Sequence, residues 1–427
     1  MLSFLIDNLA YLFLAQGIVG ILLFEVAYAN TRRQRQIVEE RDREFPQWRR
    51  RDVHLWTRAK FYPGAFCVML PRMGLMICYW IILAIFFMVV FTGHDKSKPV
   101  TGWRHRVLMI ANPFCVHIFF FCYGHYITAK NWKWDQVDYS KYLGPDKVQN
   151  QFKGKRVSTI CGNHTNLLDH YTTLWNPEAN YFAPRFTPGK ICVKMPFIGW
   201  FIKCMQGYFI DKADTQEEKD KLVEDIGKEQ KRIENADENI PPLCIFPEGT
   251  CNNGLYLAKF RRGPFTSECA IQPYITNYEW SLVNLGYDCM LAKDNIIMAL
   301  SQFSMHRVTI DWYPPFQPNE YLFTEYRKQI PDGHKLERWE VYAHAVRDLM
   351  AEIGGLGMSD QSMRDKFNYQ KYMLRLTDSV TLSEPSRQKT FYYPYDAKKS
   401  GDLTDFKNMH IIRETNRLTK YDVQNRN

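Results

Sequence analysis

The chain has 427 residues, of which 46% are hydrophobic and 15% aromatic. That is room for one large domain or two ordinary ones, and too apolar for a disordered or fibrous protein. Charged residues make up 24% and the mean hydropathy is −0.38, which excludes a polytopic transporter but leaves room for local apolar runs. The formal net charge is +9; residues 30–60 alone carry ten basic and five acidic side chains, +5 of that total, so the excess is local and no nucleic-acid partner is expected. The 11 cysteines show no C-x-x-C spacing, which points to reduced thiols rather than a disulfide framework or a zinc site, and no metal is expected.

In chain order, residues 9–29 are apolar except for Gln16 and Glu25 and are long enough to span a bilayer. No basic start or small-residue cleavage site accompanies them, so a retained anchor is expected. Residues 74–92 carry no charge and form the clearest span. Residues 107–128 are long enough, but Asn112, Pro113, His117 and His125 leave a span and a re-entrant element both open. The basic stretch 30–60 places its side of the membrane in the cytosol, either as a solvated charged face or against anionic lipid. The loop between the second and third runs, with Lys96, Lys98, Arg104 and Arg106, is also basic. That pair therefore either crosses as a hairpin or dips in without crossing, and both leave the C-terminal three quarters in the cytosol.

From about Val157, short strand-like runs alternate with amphipathic stretches, which predicts an α/β domain with a mixed central sheet flanked by helices. The expected strands are 157–162, 181–186, 207–211, 242–247, 270–278 and 306–313; the expected helices are 215–235 and 336–353. The division is a membrane-anchoring region 1–130, a core domain 131–330, and a C-terminal helix with a polar extension 331–427. In that extension, Asp396 to Lys407 echoes a calcium loop, but Lys398 and Lys407 replace two of its oxygen ligands, and a plain turn is expected.

The sharpest local signal is GNHTNLLDHY, where His164 is followed five residues later by Asp169, just after an apolar strand. A histidine in a loop, supported by an aspartate one turn into the following helix, has one ring nitrogen fixed and the other available as a general base. His170 and Cys161 lie nearby but complete no four-ligand metal set. Phe246 to Asn253 (FPEGTCNN) and Lys259 to Phe265 (KFRRGPF) then place a carboxylate, a tight turn and an arginine pair together, as an anionic phosphate site or as a turn with solvated arginines.

In this order, HTNLLD (164–169), GYFIDK (207–212) with the upstream KMPFIGW (194–200), FPEGT (246–250) and IQPY (271–274) resemble the four blocks of the membrane-bound glycerolipid acyltransferase superfamily, which includes lysophosphatidic acid and glycerol-3-phosphate acyltransferases. The resemblance covers roughly residues 155–315. FPEGTCNN with Cys251, and KFRRGPF, are most similar to the lysophosphatidylcholine acyltransferase branch.

The resemblance implies acyl transfer from acyl-CoA, as co-substrate and without a cofactor, to the glycerol hydroxyl of a lysophospholipid at the endoplasmic reticulum membrane. It implies His164 and Asp169 as the catalytic pair, and Lys212, Glu248, Gly249, Thr250, Arg261 and Arg262 as substrate-binding residues. Glycerol 3-phosphate as acceptor, a CoA-independent transacylase and a catalytically silent lipid-binding scaffold are the alternatives. Two positions depart from the pattern: Lys212 replaces an arginine, and Gln206 stands where the block has its glycine, which follows one residue late as Gly207. Headgroup, chain length, regiochemistry and oligomeric state are not fixed by the sequence.

Overall fold

The computed structural model describes residues 8–36 and 45–380 apart from 97, 147, 149, 190–193, 195–197, 211, 212, 214, 287, 288, 360 and 378. Lys212 and the loop at 396–407 therefore lie outside the described residues.

Among the described residues three helices are long and apolar enough to cross a membrane: α1 (Leu9–Asn30), α3 (Met69–Phe91) and α4 (Gly102–Cys122). Helix α2 (Arg58–Cys67) crosses α1 closely, because a side chain on Gly20 would sit 2.0 Å from the Ala65 carbonyl. The third apolar run ends differently from the expectation. It leaves the helix at Cys122, turns at Gly124 with φ +75°, and continues as strand β1 (His125–Asn131). The β-branched Ile127 and Thr128 suit a strand, and β1 pairs in parallel with β7 (His306–Trp312) along its whole length.

The remaining strands are β2 (Thr159–Gly162), β3 (Arg185–Phe186), β4 (Leu243–Ile245) and β6 (Ile271–Tyr278), in the sheet order β1-β7-β6-β2-β4-β3; β5 (Tyr256–Leu257) and β8 (Gly357–Met358) pair separately. β6 and β7 meet antiparallel whereas β2 and β6 run parallel, so the sheet is mixed. The expected strand at 207–211 is reduced to a bridge between Ile210 and Gly189.

The pleat divides the core. Cys161, Ile271 and Ile275 face α10 (Arg338–Gly354), whereas Ile160, Tyr274, Ile310 and Trp312 face the opposite side. Helix α7 (Gln216–Asn235) begins with a capping box between Thr215 and Glu218 and buries Ile226 and Ile233 over Leu243 and Ile245. Helix α10, which follows α8 (Ala292–Leu300) and α9 (Glu320–Thr324), shares one core with Tyr142, Phe316 and Leu322.

Helices α3 and α4 lie along the second face of the sheet, held at root and tip. At the root, Arg72 donates to the carbonyls of Leu300, Gln302 and Ser304, and α4 runs into β1. At the tip, Gln206 donates to the Lys98 carbonyl and His105 meets the Asn180 carbonyl. Between these, Trp80 packs on Tyr171 and Phe201, and Phe119 stacks on Tyr171 at 3.7 Å. The outer face leaves Ile77, Ile81, Ile85, Ile110, Phe114 and Phe121 exposed.

The basic stretch after α1 is divided where it is described: Arg32, Arg58 and Lys60 are exposed, as expected of a charged face, but its central run is not. Arg49, Arg50 and Arg51 are buried. Arg50 makes a two-pronged ion pair with Asp52 (2.6 and 2.9 Å) and donates to the carbonyls of Asn284 and Gly286, while the amide of Asn284 donates to Asp52. A carboxylate two residues from the arginine and two converging carbonyls satisfy the buried guanidinium. Arg50→Ala should therefore leave Asp52 buried without its counter-charge and destabilise the protein by about 3–5 kcal/mol, visible as a lower Tm in detergent; an unchanged Tm would contradict this account.

Candidate active site

Strand β2 ends at Gly162 and the chain turns through Asn163–Leu168 into the short helix α5 (Asp169–Thr172). Asn163 fixes the exit by donating to the Thr276 carbonyl and accepting from its amide. Asp169 is fully buried and accepts four hydrogen bonds: one oxygen takes the amides of Thr165 (2.6 Å) and Asn166 (2.8 Å) and His164 Nδ1 (2.9 Å), and the other takes the Tyr278 hydroxyl (2.5 Å). The spacing of five residues thus closes a loop around one carboxylate. Tyr278, at the end of β6, is a positioning residue that spacing does not reveal, because only the β2–β6 pairing brings it to the site.

The His164 ring stacks on Phe246 (4.2 Å, 16°). The sulfur of Cys251 lies 3.4 Å from Nε2 and 3.6 Å from Nδ1; nearly equidistant from both nitrogens, it cannot lie along the lone pair of either. Burial works against the charged imidazolium, but the Cys251 sulfur and the Asp169 carboxylate outweigh it and hold His164 above the ordinary histidine range. The neighbouring His170 is pushed down to about 4 by burial, with the His164 ring adding to the effect, and so stays neutral. Among the described residues no three His, Cys, Asp or Glu side chains converge as metal ligands.

The FPEGTCNN loop is joined to this centre from the inside. One oxygen of Glu248 accepts the His164 amide (2.8 Å), the other accepts the Ala258 amide (2.7 Å) and the Asn252 side chain (2.6 Å), and the Asn252 amide donates to the His164 carbonyl. Glu248 is 2% exposed and serves as an internal brace rather than a surface group. Burial raises it to about 7, against the pull of the Ala258 and His164 amides. Gly249 lies at the surface with φ +68°, and Arg261 packs where its side chain would be. Thr250 is half-buried beside it. Arg262 turns away to pair with Asp220 of α7. His164, Asp169 and Glu248 are thus brought together, Gly249 and Arg261 meet on the surface, and Arg262 is separated from them by its ion pair.

One cavity borders the histidine loop and another lies beyond it. An apolar one of about 570 Å³ opens between the α3–α4 pair and the sheet, and is lined by Trp80, Phe87, Ala111, Tyr171 and Phe201, with Leu167 and His170 from the histidine loop in its wall. A basic cleft lies on the other side of α6 (Ile198–Cys204). The glycine position of the second block is settled there. Gln206 takes φ +56° at the end of α6, and the Gly207 amide returns to the Ile202 carbonyl, a Schellman-type end in which glycine is usual. A non-glycine residue at this φ costs roughly 1–2 kcal/mol.

The model of the acyltransferase family matches residues 143–276. The chain is 23% identical over 366 residues to the lysophospholipid acyltransferase LPEAT1 of Arabidopsis thaliana, covering 78% of this chain and 87% of that protein. It is 22% identical over 310 residues to lysophosphatidylcholine acyltransferase 2 of Homo sapiens, covering 70% of this chain and 48% of the human one, so it spans about half the length of that relative. Among solved structures, the 1-acyl-sn-glycerophosphate acyltransferase PlsC of Thermotoga maritima aligns with a TM-score of 0.37 at 15% identity, over 65% of this chain and 93% of that one. The protein is a membrane-associated acyltransferase. Its sequence is similar to lysophospholipid and lysophosphatidylcholine acyltransferases of the glycerolipid acyltransferase superfamily.

The brace has a pH signature. Glu248 binds its proton more tightly folded than unfolded, so its share of stability is present below about pH 4.5 and is lost as pH rises through about 7. Glu248→Gln removes this titration, so the Tm difference between wild type and variant should shrink between pH 5 and pH 8; a pH-independent difference would contradict it.

Proposed function

We propose that the chain transfers a fatty acyl group from acyl-CoA to the glycerol hydroxyl of a lysophospholipid. The observation that carries this reading is the His164–Asp169 pair at a loop–helix junction whose Leu167 and His170 also line the apolar cavity. A thioester whose chain fills that cavity would present its carbonyl beside the imidazole, and 570 Å³ lies within the range of about 300–1,000 Å³ common to ligand pockets.

In this reaction His164 Nε2 takes the proton of the acceptor hydroxyl while Asp169 holds Nδ1–H and balances the imidazolium. The hydroxyl oxygen attacks the thioester carbonyl, the C–S bond breaks, and the departing CoA sulfur takes the proton from the imidazolium. Glu248 positions His164 through its backbone amide; Gly249, Thr250 and Arg261 are the groups of that loop exposed to an acceptor phosphate. Arg262 and Lys212 are further candidates, Arg262 by exchanging its surface partner Asp220 for the phosphate.

The membrane arrangement supports the same reading. Because α3 and α4 are fastened to the domain at root and tip, they embed sideways with their outer face in lipid and their inner face over the cavity, rather than carrying their tip to the far side. The stretch that follows α1 packs into the catalytic body, which places that end of α1 on the catalytic side. An endoplasmic reticulum location with the domain in the cytosol fits the basic residues on that side.

The test is acyl transfer by the purified protein in nanodiscs, with labelled oleoyl-CoA and a panel of lysophospholipids, lysophosphatidate and glycerol 3-phosphate. His164→Ala should reduce turnover by about 100- to 10,000-fold without loss of folding, and no product from any acceptor would overturn the reading. Since His164 must be neutral to act, kcat/KM should climb with pH along a limb above 6.5, and Cys251→Ala should move that limb down. Filling the cavity with Ala111→Trp should shift preference toward shorter acyl chains, measured by competition between acyl-CoA chain lengths.

A further inference from the structure

The cleft beyond α6 has a volume of about 930 Å³ and brings together Lys96 and Lys98 from the α3–α4 tip, Lys203 of α6, Arg185 of β3 and Arg232 of α7, against the single carboxylate of Glu238. Arg185 and Arg232 share Glu229, whereas Lys96, Lys98 and Lys203 form no ion pair among the described residues. Five cations from four separate elements converging on one concavity is an electrostatic arrangement for a ligand with several negative charges.

The cleft is held in shape by the strained residue. Gln206 donates its side-chain amide to the Lys98 carbonyl while its own carbonyl accepts from Arg185 Nε at 2.9 Å. A glycine would relieve the backbone but could not reach Lys98. The left-handed conformation is thus retained where the side chain fastens the tip to the floor of the cleft.

Helix α6 separates this cleft from the apolar cavity. Ile198, Phe201, Ile202 and Met205, at helical spacing, face the cavity, and Lys203 and Gln206 face the cleft. One amphiphile with a long apolar chain and a distant, highly charged end would meet both. We propose that the cleft binds the 3′-phospho-ADP end of CoA, an inference that rests on acyl-CoA being the donor. That end carries about four negative charges, two of them on the 3′-phosphate monoester. A lysophospholipid headgroup offers a single phosphate to the same five cations. Half-buried Phe209 supplies an aromatic surface for the adenine.

The experiment uses the full chain in nanodiscs and the charge-reversal pair Lys98→Glu and Lys203→Glu, with Gln206→Gly as a third variant whose backbone is relieved rather than strained. The expected result is a rise of 10-fold or more in KM for oleoyl-CoA with kcat and the KM for lysophospholipid nearly unchanged. Product inhibition by CoA should weaken, and the wild-type preference for CoA over dephospho-CoA, which lacks the 3′-phosphate, should disappear. Gln206→Gly should show a smaller rise in the same constant. A rise in the lysophospholipid KM instead would make the cleft an acceptor site. A loss that follows the phosphatidylserine content of the nanodisc, at constant acyl-CoA KM, would make it a lipid-headgroup site. Either result, or no change, overturns the proposal. Equilibrium binding of labelled CoA to His164→Ala, with and without the lysine reversals, separates the two readings: if CoA binds and the reversals abolish it, the cleft assignment stands even should no acceptor be acylated.

Discussion

The site depends on how one buried carboxylate is satisfied. Among the described residues no arginine or lysine pairs with Asp169; two loop amides, a tyrosine hydroxyl and the His164 ring take its lone pairs. Neutral donors stabilise the charge without neutralising it, so the carboxylate keeps its full effect on the imidazole. The same four bonds close the loop after β2 and tie it to the end of β6. Loop conformation, ring orientation and sheet register are therefore one constraint.

Glu248 extends that constraint to the second loop. Its two oxygens are spent on protein donors, which brings the histidine loop and FPEGTCNN to a common centre and leaves Gly249 and Arg261 on the outside. The segment after α1 then backs this loop: Asn253 donates to the carbonyls of Pro46 and Arg49, and Lys366 of α11 (Met363–Met373) donates to the Cys251 carbonyl. Elements far apart in sequence buttress a loop of a few residues.

Local chemistry was legible in the sequence and long-range packing was not. The strands around residues 160, 244, 274 and 309 and the helix after Thr215 follow from apolar periodicity and a capping box, both short-range signals. His164 and Asp169 were legible because their partnership spans five residues. Tyr278 was not, since its role arises only from strand pairing. The buried arginines misled because a charge run normally is solvated, and the carbonyls that satisfy Arg50 lie more than 230 residues away. The strand β1 was hidden by apolar continuity with α4: hydropathy registers burial and does not tell a lipid-facing helix from a sheet edge. The departure at Gln206 was visible, and its compensation, a hydrogen bond to Lys98, was not.

The parallel pairing of β1 with β7 also sets an order of assembly. Residue 125 finds its partner at residue 306, so the α3–α4 pair emerges from the ribosome and reaches the bilayer long before the strand that anchors its root has been made. Until then the inner face of the pair has no domain to cover, and the apolar surfaces that later enclose the cavity are open to lipid. Closing the sheet is what turns that face into the wall of a pocket. The cavity is therefore complete only once strand β7, about 180 residues after β1, has joined the sheet.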